Sequence, residues 1–531
     1  MTKMRGMGWM ARGFDPSREH TVGSAAALLM AATLLARLVG YLRDAYVAYA
    51  FGAGPLTDAY IAAFTLPDLL LYLAAGGSIS ITFISLYTRY LTEGREEEGA
   101  KAFSVIVSVM VVAFAAVVAL GEVFAGTFVR WWFSGFTAEQ AELCTRLTRI
   151  LLPQPIFFLI GGVVSAVQQT RRQFLLPALA PVVYTLFIIG AGVLFSARLG
   201  IAALAVGATI GAFVGPFLLN ALGAARTGIG YHFSLDARHP AFRQWLWMSV
   251  PLMLGISIVA ADDWILRAFA SSGSGDITRL NYAKRLLQVP IGVIGQAVGV
   301  ASLPFFARLF SEGRLQEFEE KVSRAITSLA ALSLLVASWM MAVALPLTDL
   351  AFRRGRFQAS DSRETAMYLF WFTLSLVFWA VQGLYARAFY AVGDMWRPMI
   401  AGTAVTAVSL PIYWALFHSF GIFGLVMASN TAIVLHTLVL AAMLHLRGLV
   451  RSTRLDWLEL GKAAMAAAMG GGAATLAGRI LRYDGSRTLQ IEMLALESLT
   501  WLAGALAGLW LLRSKLLGEV RRLAQKPATP A

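Results

Sequence analysis

The chain has 531 residues, of which 58% are hydrophobic and 14% charged, and a mean hydropathy of +0.67. That balance excludes an ordinary water-soluble domain, where about 45–50% of residues are apolar and about 25% charged. The formal charge of +14 is scattered through short loops with no basic patch or recognition motif, which excludes a nucleic-acid partner and points to a membrane surface.

In chain order, Lys3, Arg5, Arg12 and Arg18 precede an apolar run that continues past Arg37 and Arg43 without a small-residue cleavage site, so it predicts a first span and not a removed leader. Runs of about 20 apolar residues recur from there to the end, each long enough to cross about 30 Å of hydrocarbon as a helix. They are too long and too continuously apolar for the alternating strands of a β-barrel. Breaks at charges, glycine and proline place spans at 23–51, 56–89, 102–131, 146–170, 176–197, 200–224, 241–269, 277–309, 322–351, 364–391, 397–418, 421–446, 457–481 and 489–513. The expected fold class is all-α: a polytopic membrane protein of about 14 transmembrane helices.

Putting the N-terminus inside collects the basic residues around Arg89, Arg171, Arg243, Arg314, Arg451 and Arg521 on one side, so both termini are expected to be cytoplasmic. Arg353, Arg354 and Arg356 are the exception, three cations in an outer loop. Glu93, Glu96, Glu97 and Glu98 lie beside Arg89, Arg95 and Lys101, which predicts a solvated turn laced with ion pairs.

An internal repeat is legible. Gly200-Ile-Ala-Ala-Leu echoes Gly421-Ile-Phe-Gly-Leu at an offset of 221 residues, Pro177 and Pro398 share that offset, and Pro67 and Pro290 lie 223 apart. Six helices per repeat give two parallel lobes, expected to enclose a central cavity, with two appended helices. The boundaries expected are 1–22 for a cytoplasmic segment, 23–224 and 225–446 for the lobes, 447–513 for the appended pair and 514–531 for a cytoplasmic tail.

Ionisable residues within spans cost at least about 2.5–3.5 kcal/mol each and call for a cavity, a partner or a function. Arg37, Arg43 and Asp44 lie in the first span, and Lys284 and Arg285 in the eighth. The four cations are candidates to bind an anionic substrate, because an arginine fork matches phosphate oxygens and a dry cavity strengthens the attraction. The alternative is internal neutralisation, Arg43 by Asp44 or Asp58 and Arg285 by Asp262 or Asp263. Pro67, Gly76 and Gly77 in the second span, and Pro290, Gly292 and Gly295 in the eighth, are hinge candidates, with close helix packing as the other use of the glycines. The single cysteine, Cys144, and six histidines without ligand spacing predict no metal and no disulfide. No nucleotide-binding loop or catalytic grouping occurs, so the expectation is a transporter and not an enzyme, without a cofactor, driven by membrane potential or an ion gradient.

The strings Ala36-Arg-Leu-Val-Gly-Tyr-Leu-Arg-Asp-Ala45, Phe51-Gly-Ala-Gly54, Leu66-Pro-Asp-Leu-Leu70, Asn281-Tyr-Ala-Lys-Arg285, Arg354-Gly-Arg-Phe357 and Arg387-Ala-Phe-Tyr-Ala-Val-Gly-Asp394 resemble the MurJ (MviN) lipid II flippases, of the multidrug/oligosaccharidyl-lipid/polysaccharide exporter superfamily. Their order and spacing cover about 400 residues. The resemblance implies an inner-membrane flippase that moves an undecaprenyl-diphosphate-linked peptidoglycan precursor to the outer leaflet by alternating access. It implies that Arg37, Arg43 and Arg285 are functional arginines, that Asp44 and Asp58 are the acidic positions, and that the last two helices line a groove for the lipid tail. The partners implied are lipid II and membrane lipids; the sequence carries no signal of oligomeric state. Leu71 and Tyr72 stand where the family often has two arginines, Gly76 where it often has Glu, and Lys284 and Gln288 where acidic residues often occur. An exporter of another polyprenyl-diphosphate oligosaccharide, or a membrane glycosyltransferase using such a donor, are the competing readings.

Overall fold

The computed structural model describes residues 22–75, 79–254, 257–479 and 486–518, and every regular element among them is helical. The first half contains α1 (Val22–Phe51), α2 (Pro55–Ala63), α3 (Thr65–Ala75), α4 (Ile79–Thr92), α5 (Glu96–Trp132), α6 (Ala138–Leu151), α7 (Gln154–Thr170), α8 (Leu175–Leu199), α9 (Ala202–Ala212) and α10 (Asn220–Ala225), with a π-helical turn, Phe213–Leu219, joining the last two. The second half contains α11 (Pro240–Leu254), α12 (Ile258–Phe269), α13 (Asp276–Ser311), α14 (Leu315–Ala342), α15 (Ala344–Phe352), α16 (Ala359–Thr373), α17 (Leu376–Ala391), α18 (Trp396–Leu446), α19 (Trp457–Gly478) and α20 (Arg487–Leu511).

Over the described residues every expected span is built of helix, but not every one is a single helix. Among the described residues 7 segments qualify as membrane spans by length and apolarity alone, or up to 8 if the pair α16–α17, bent by 46°, counts as one. The second span is broken at Phe64, just before Pro67, and the seventh is divided between α11 and α12. Conversely α18 joins the eleventh and twelfth expected spans. Its 51 residues would extend roughly 77 Å at about 1.5 Å per residue, over twice a hydrocarbon core. It is kinked at Gly421, which adopts φ 61° and ψ −141°.

The chain divides into two compact units, Met1–Val47 with Pro55–Gly255, and Ala48–Gly54 with Ile256–Ala531. In the first, Phe83, Phe103, Ile106, Val163 and Trp245 join α4, α5, α7 and α11 in one apolar core. In the second, Phe306, Phe318, Leu384, Phe389 and Leu440 join α13, α14, α17 and α18. The repeat has a backbone counterpart within each unit: Pro177 and Pro398 are each the third residue of their helix, in the first turn, where the missing N–H costs no helical bond.

The break between α16 and α17 frees carbonyls that lipid could not solvate. Asn430 donates to the Trp371 carbonyl at 2.8 Å, and the Ser375 hydroxyl donates to Asn430 Oδ1 at 2.7 Å. The appended helices pack by small residues. Leu335 of α14 meets Ala466, Ala467, Ala505 and Leu509, and a Cβ on Gly508 would lie 2.8 Å from the Ala466 Cα.

The expected ion-paired turn forms: Arg89 and Arg95 hold Glu93 at 2.9 Å each, and Arg171 holds Glu96 at 2.9 Å. Those two arginines pull the Glu93 carboxyl below the usual range. The outer-loop exception has a structural explanation in part. Arg353 pairs with buried Asp349 at 3.0 Å, and Arg356 N–H donates to the Tyr49 carbonyl at 3.0 Å. Gly355, at φ 56°, lies so close under Tyr49 that a Cβ would come within 2.3 Å of its carbonyl oxygen.

Candidate functional site

In the first unit Arg43 is held on α1, which is docked by the next turn. The Tyr46 ring packs where Gly192 of α8 leaves room, since a Cβ there would lie 2.6 Å from the ring. Arg43 donates from Nε at 2.9 Å and from an Nη at 2.7 Å, both to Asp44 Oδ1. The two side chains are 19% and 12% exposed, so this is the sequence's neutralising pair, made with the adjacent residue and not with Asp58. It occupies only one edge of a guanidinium with five N–H donors, and the other edge makes no hydrogen bond among the described residues. Arg37, two turns earlier, is exposed and has no polar partner among the described residues. Asp58 is fully buried in α2.

In the second unit Lys284 of α13 donates to both Asp262 and Asp263 of α12 and lies 5.6 Å from the centre of the Trp379 ring. Asp262 is 1% exposed and also accepts the Tyr413 hydroxyl and, at 2.9 Å, the Ser429 hydroxyl. Its charge is therefore met by one cation and two hydroxyls. Asp263, 39% exposed, faces a small crevice with Arg267 and Asn281. Lys284 contacts both aspartates directly, and Arg285, the cation the sequence offered for that role, acts on Asp263 electrostatically. Arg285, the next residue of α13, is exposed. Sequence reasoning missed Tyr413 and Ser429; the available signal was a hydroxyl inside an apolar run.

Of the hinge candidates, Pro67 sits at the third residue of α3, directly after a real helix break. Pro290, Gly292 and Gly295 lie inside α13, a helix that runs unbroken for 36 residues and forfeits one backbone bond at Pro290. Gly76 and Gly77 lie outside the described residues. Among the described residues no group of three His, Cys, Asp or Glu side chains could hold a metal ion.

Arg43 on α1 keeps one guanidinium edge clear of its bond to Asp44, whereas the Lys284 cluster sets one ammonium between two carboxylates. The chain is 28% identical over 439 residues to the lipid II flippase MurJ of Burkholderia cenocepacia, covering 80% of this chain and 84% of that protein. It is 27% identical over 426 residues to the probable lipid II flippase MurJ of Rhizobium tropici, covering 78% and 80%. A solved structure of the lipid II flippase MurJ in an inward closed conformation superposes with a TM-score of 0.74 at 21% identity, covering 90% of this chain and 98% of that one. An inward-facing multidrug resistance MATE transporter of the MOP superfamily follows with 0.61 at 16% identity, covering 79% and 98%. The profile of the family described as lipid II flippase MurJ matches residues 47–491, and the chain therefore belongs to that family.

Proposed function

We infer that this chain is a multi-pass inner-membrane transporter that moves lipid II, the undecaprenyl-diphosphate-linked peptidoglycan precursor, from the inner to the outer leaflet by alternating access. The observation that carries this reading is family membership across residues 47–491. The free edge of the Arg43 guanidinium and the exposed Arg37 and Arg285 are the groups proposed to take the diphosphate. Lys284, already shared by two carboxylates, is proposed to set the position of α12 against α13 and to contribute less to the substrate. Both termini are proposed to be cytoplasmic, and resetting is proposed to draw on membrane potential or an ion gradient.

The test is rescue of bacteria depleted of their own lipid II flippase, with lipid II on the outer leaflet measured directly. The parent chain restores exposure, and correctly inserted Arg43→Ala and Arg285→Ala chains do not. A well-inserted parent that fails to rescue overturns the reading. Leu71 and Tyr72, on α3 where the family often carries two arginines, favour another polyprenyl-diphosphate glycan as the second reading.

A further inference from the structure

A groove of about 1280 Å³ opens between the last turns of α5 and the length of α6, within the first unit. Three arginines line it, Arg130, Arg146 and Arg149, together with Glu139 and Glu142. All five side chains are exposed, and none makes an ion pair among the described residues. Among the described residues their one side-chain hydrogen bond is Arg149 Nε donating to the Glu122 carbonyl at 3.1 Å. Elsewhere this chain pairs its exposed charges readily, as at Arg89–Glu93 and Arg314–Glu317. Here the helices hold opposite charges around one groove yet out of contact.

Two local features border the groove. The start of α6 is fixed by a capping box in which Gln140 N–H donates to Thr137 Oγ1 at 3.3 Å and Thr137 N–H donates to Gln140 Oε1 at 3.1 Å. Gly126 forms part of the wall, where a Cβ would lie 3.6 Å from an Arg130 nitrogen and from Thr145 Cγ2. The depth is marked by aromatics: Trp131, 73% exposed, and Trp132, stacked on Phe128 with centroids 5.4 Å apart, adjoin Arg130 at the end of α5. One to three turns down that helix, Leu120, Val123 and Phe124 are 59%, 71% and 57% exposed. The exposed apolar face and the tryptophans thus share α5 with the groove's charges, so an acyl chain and a headgroup have adjoining places on it.

We propose that this groove binds the headgroup of a membrane glycerophospholipid bearing both a phosphate and a primary ammonium, as phosphatidylethanolamine does. The phosphate lies among Arg130, Arg146 and Arg149, and the ammonium reaches Glu139 and Glu142, while an acyl chain follows the exposed face of α5. A purely anionic headgroup leaves the two glutamates facing no cation, and a choline headgroup offers them no N–H donor. The zwitterion accounts for both sets of charges.

The test is native mass spectrometry of the full chain in detergent, offered equal amounts of phosphatidylethanolamine, phosphatidylglycerol, phosphatidylcholine and undecaprenyl diphosphate. The parent retains phosphatidylethanolamine in preference to the other three. Arg130→Gln/Arg146→Gln/Arg149→Gln lowers that retention about ten-fold or more, the effect of losing charge-assisted hydrogen bonds to phosphate. Glu139→Gln/Glu142→Gln keeps a phospholipid but loses the preference for phosphatidylethanolamine over phosphatidylglycerol. Thermal unfolding checks the fold of each variant, and Arg146→Gln alone replaces the triple substitution if that does not fold. Equal retention of the three phospholipids by the parent, or unchanged retention after arginine removal, overturns the proposal. So does a preference for undecaprenyl diphosphate, which would assign the groove to the transported lipid.

Discussion

Gly200 and Gly421, 221 residues apart, adopt the same backbone conformation, φ 57° with ψ −141° and φ 61° with ψ −141°. That region is closed to L side chains and open to glycine. A Cβ would meet nothing within 4 Å at either position, so the requirement lies in the backbone and not in space. Gly200→Ala and Gly421→Ala are each expected to destabilise the protein by roughly 1–3 kcal/mol, the usual cost of such a strained conformation. Thermal unfolding in detergent checks this, and a variant as stable as the parent would show that the turn can relax.

The Lys284 cluster should respond asymmetrically. Lys284→Met leaves Asp262 buried with its charge unmet by any cation and is expected to cost about 3–5 kcal/mol. Adding Asp262→Asn to Lys284→Met removes that buried charge and should recover part of the loss. Chemical unfolding of the single and double variants gives the comparison; a double variant worse than Lys284→Met would contradict it.

Arg43→Lys preserves charge but supplies an ammonium in place of a planar fork, and it cannot hold Asp44 while presenting a bidentate edge. Lipid II exposure should fall about ten-fold or more, with insertion unchanged, on the strength of the charge-assisted bonds lost. Activity equal to the parent would show that charge alone suffices there.

Gly508 lets α20 approach α19 closely. Gly508→Val forces the helices apart and is expected to cost about 1–3 kcal/mol by overpacking. Disulfide trapping between cysteines placed at Ala466 and Ala505 should be slower in that background; an unchanged rate would mean the helices keep their spacing.

Asp456 caps α19 by accepting the Glu459 N–H at 3.1 Å and pairs with Lys515 at 2.6 Å. Lys515, then the backbone N–H, holds its carboxyl below the usual range. A lowered acid contributes stability above its unfolded pKa of about 3.9 and loses it as pH falls through the folded value. Asp456→Ala is expected to cost about 0.5–2 kcal/mol at neutral pH, and Asp456→Asn less, because asparagine also caps. Unfolding temperatures of parent and Asp456→Asn should converge on acidification; a constant gap would exclude the ion pair as the source.

The membrane class, the all-helical fold and the matching helix starts and glycine turns at Pro177/Pro398 and Gly200/Gly421 were legible in the sequence. Lipid leaves backbone groups only helical partners, so long apolar runs announce helices locally, and Pro177, Pro398, Gly200 and Gly421 mark their ends by chemistry that belongs to one residue each. The strings at 36–45 and 281–285 likewise located the charged helices. What tertiary structure alone decided was which charge meets which. Arg43 turns to its neighbour Asp44, Lys284 takes both Asp262 and Asp263, and Tyr413 and Ser429 arrive from another helix to complete the shell. Partner choice depends on the rotation of each helix about its axis and on the reach of long side chains. Neither is encoded in the period of an apolar run, which is why Lys284 reads from sequence as an available cation and in the folded protein is a shared one.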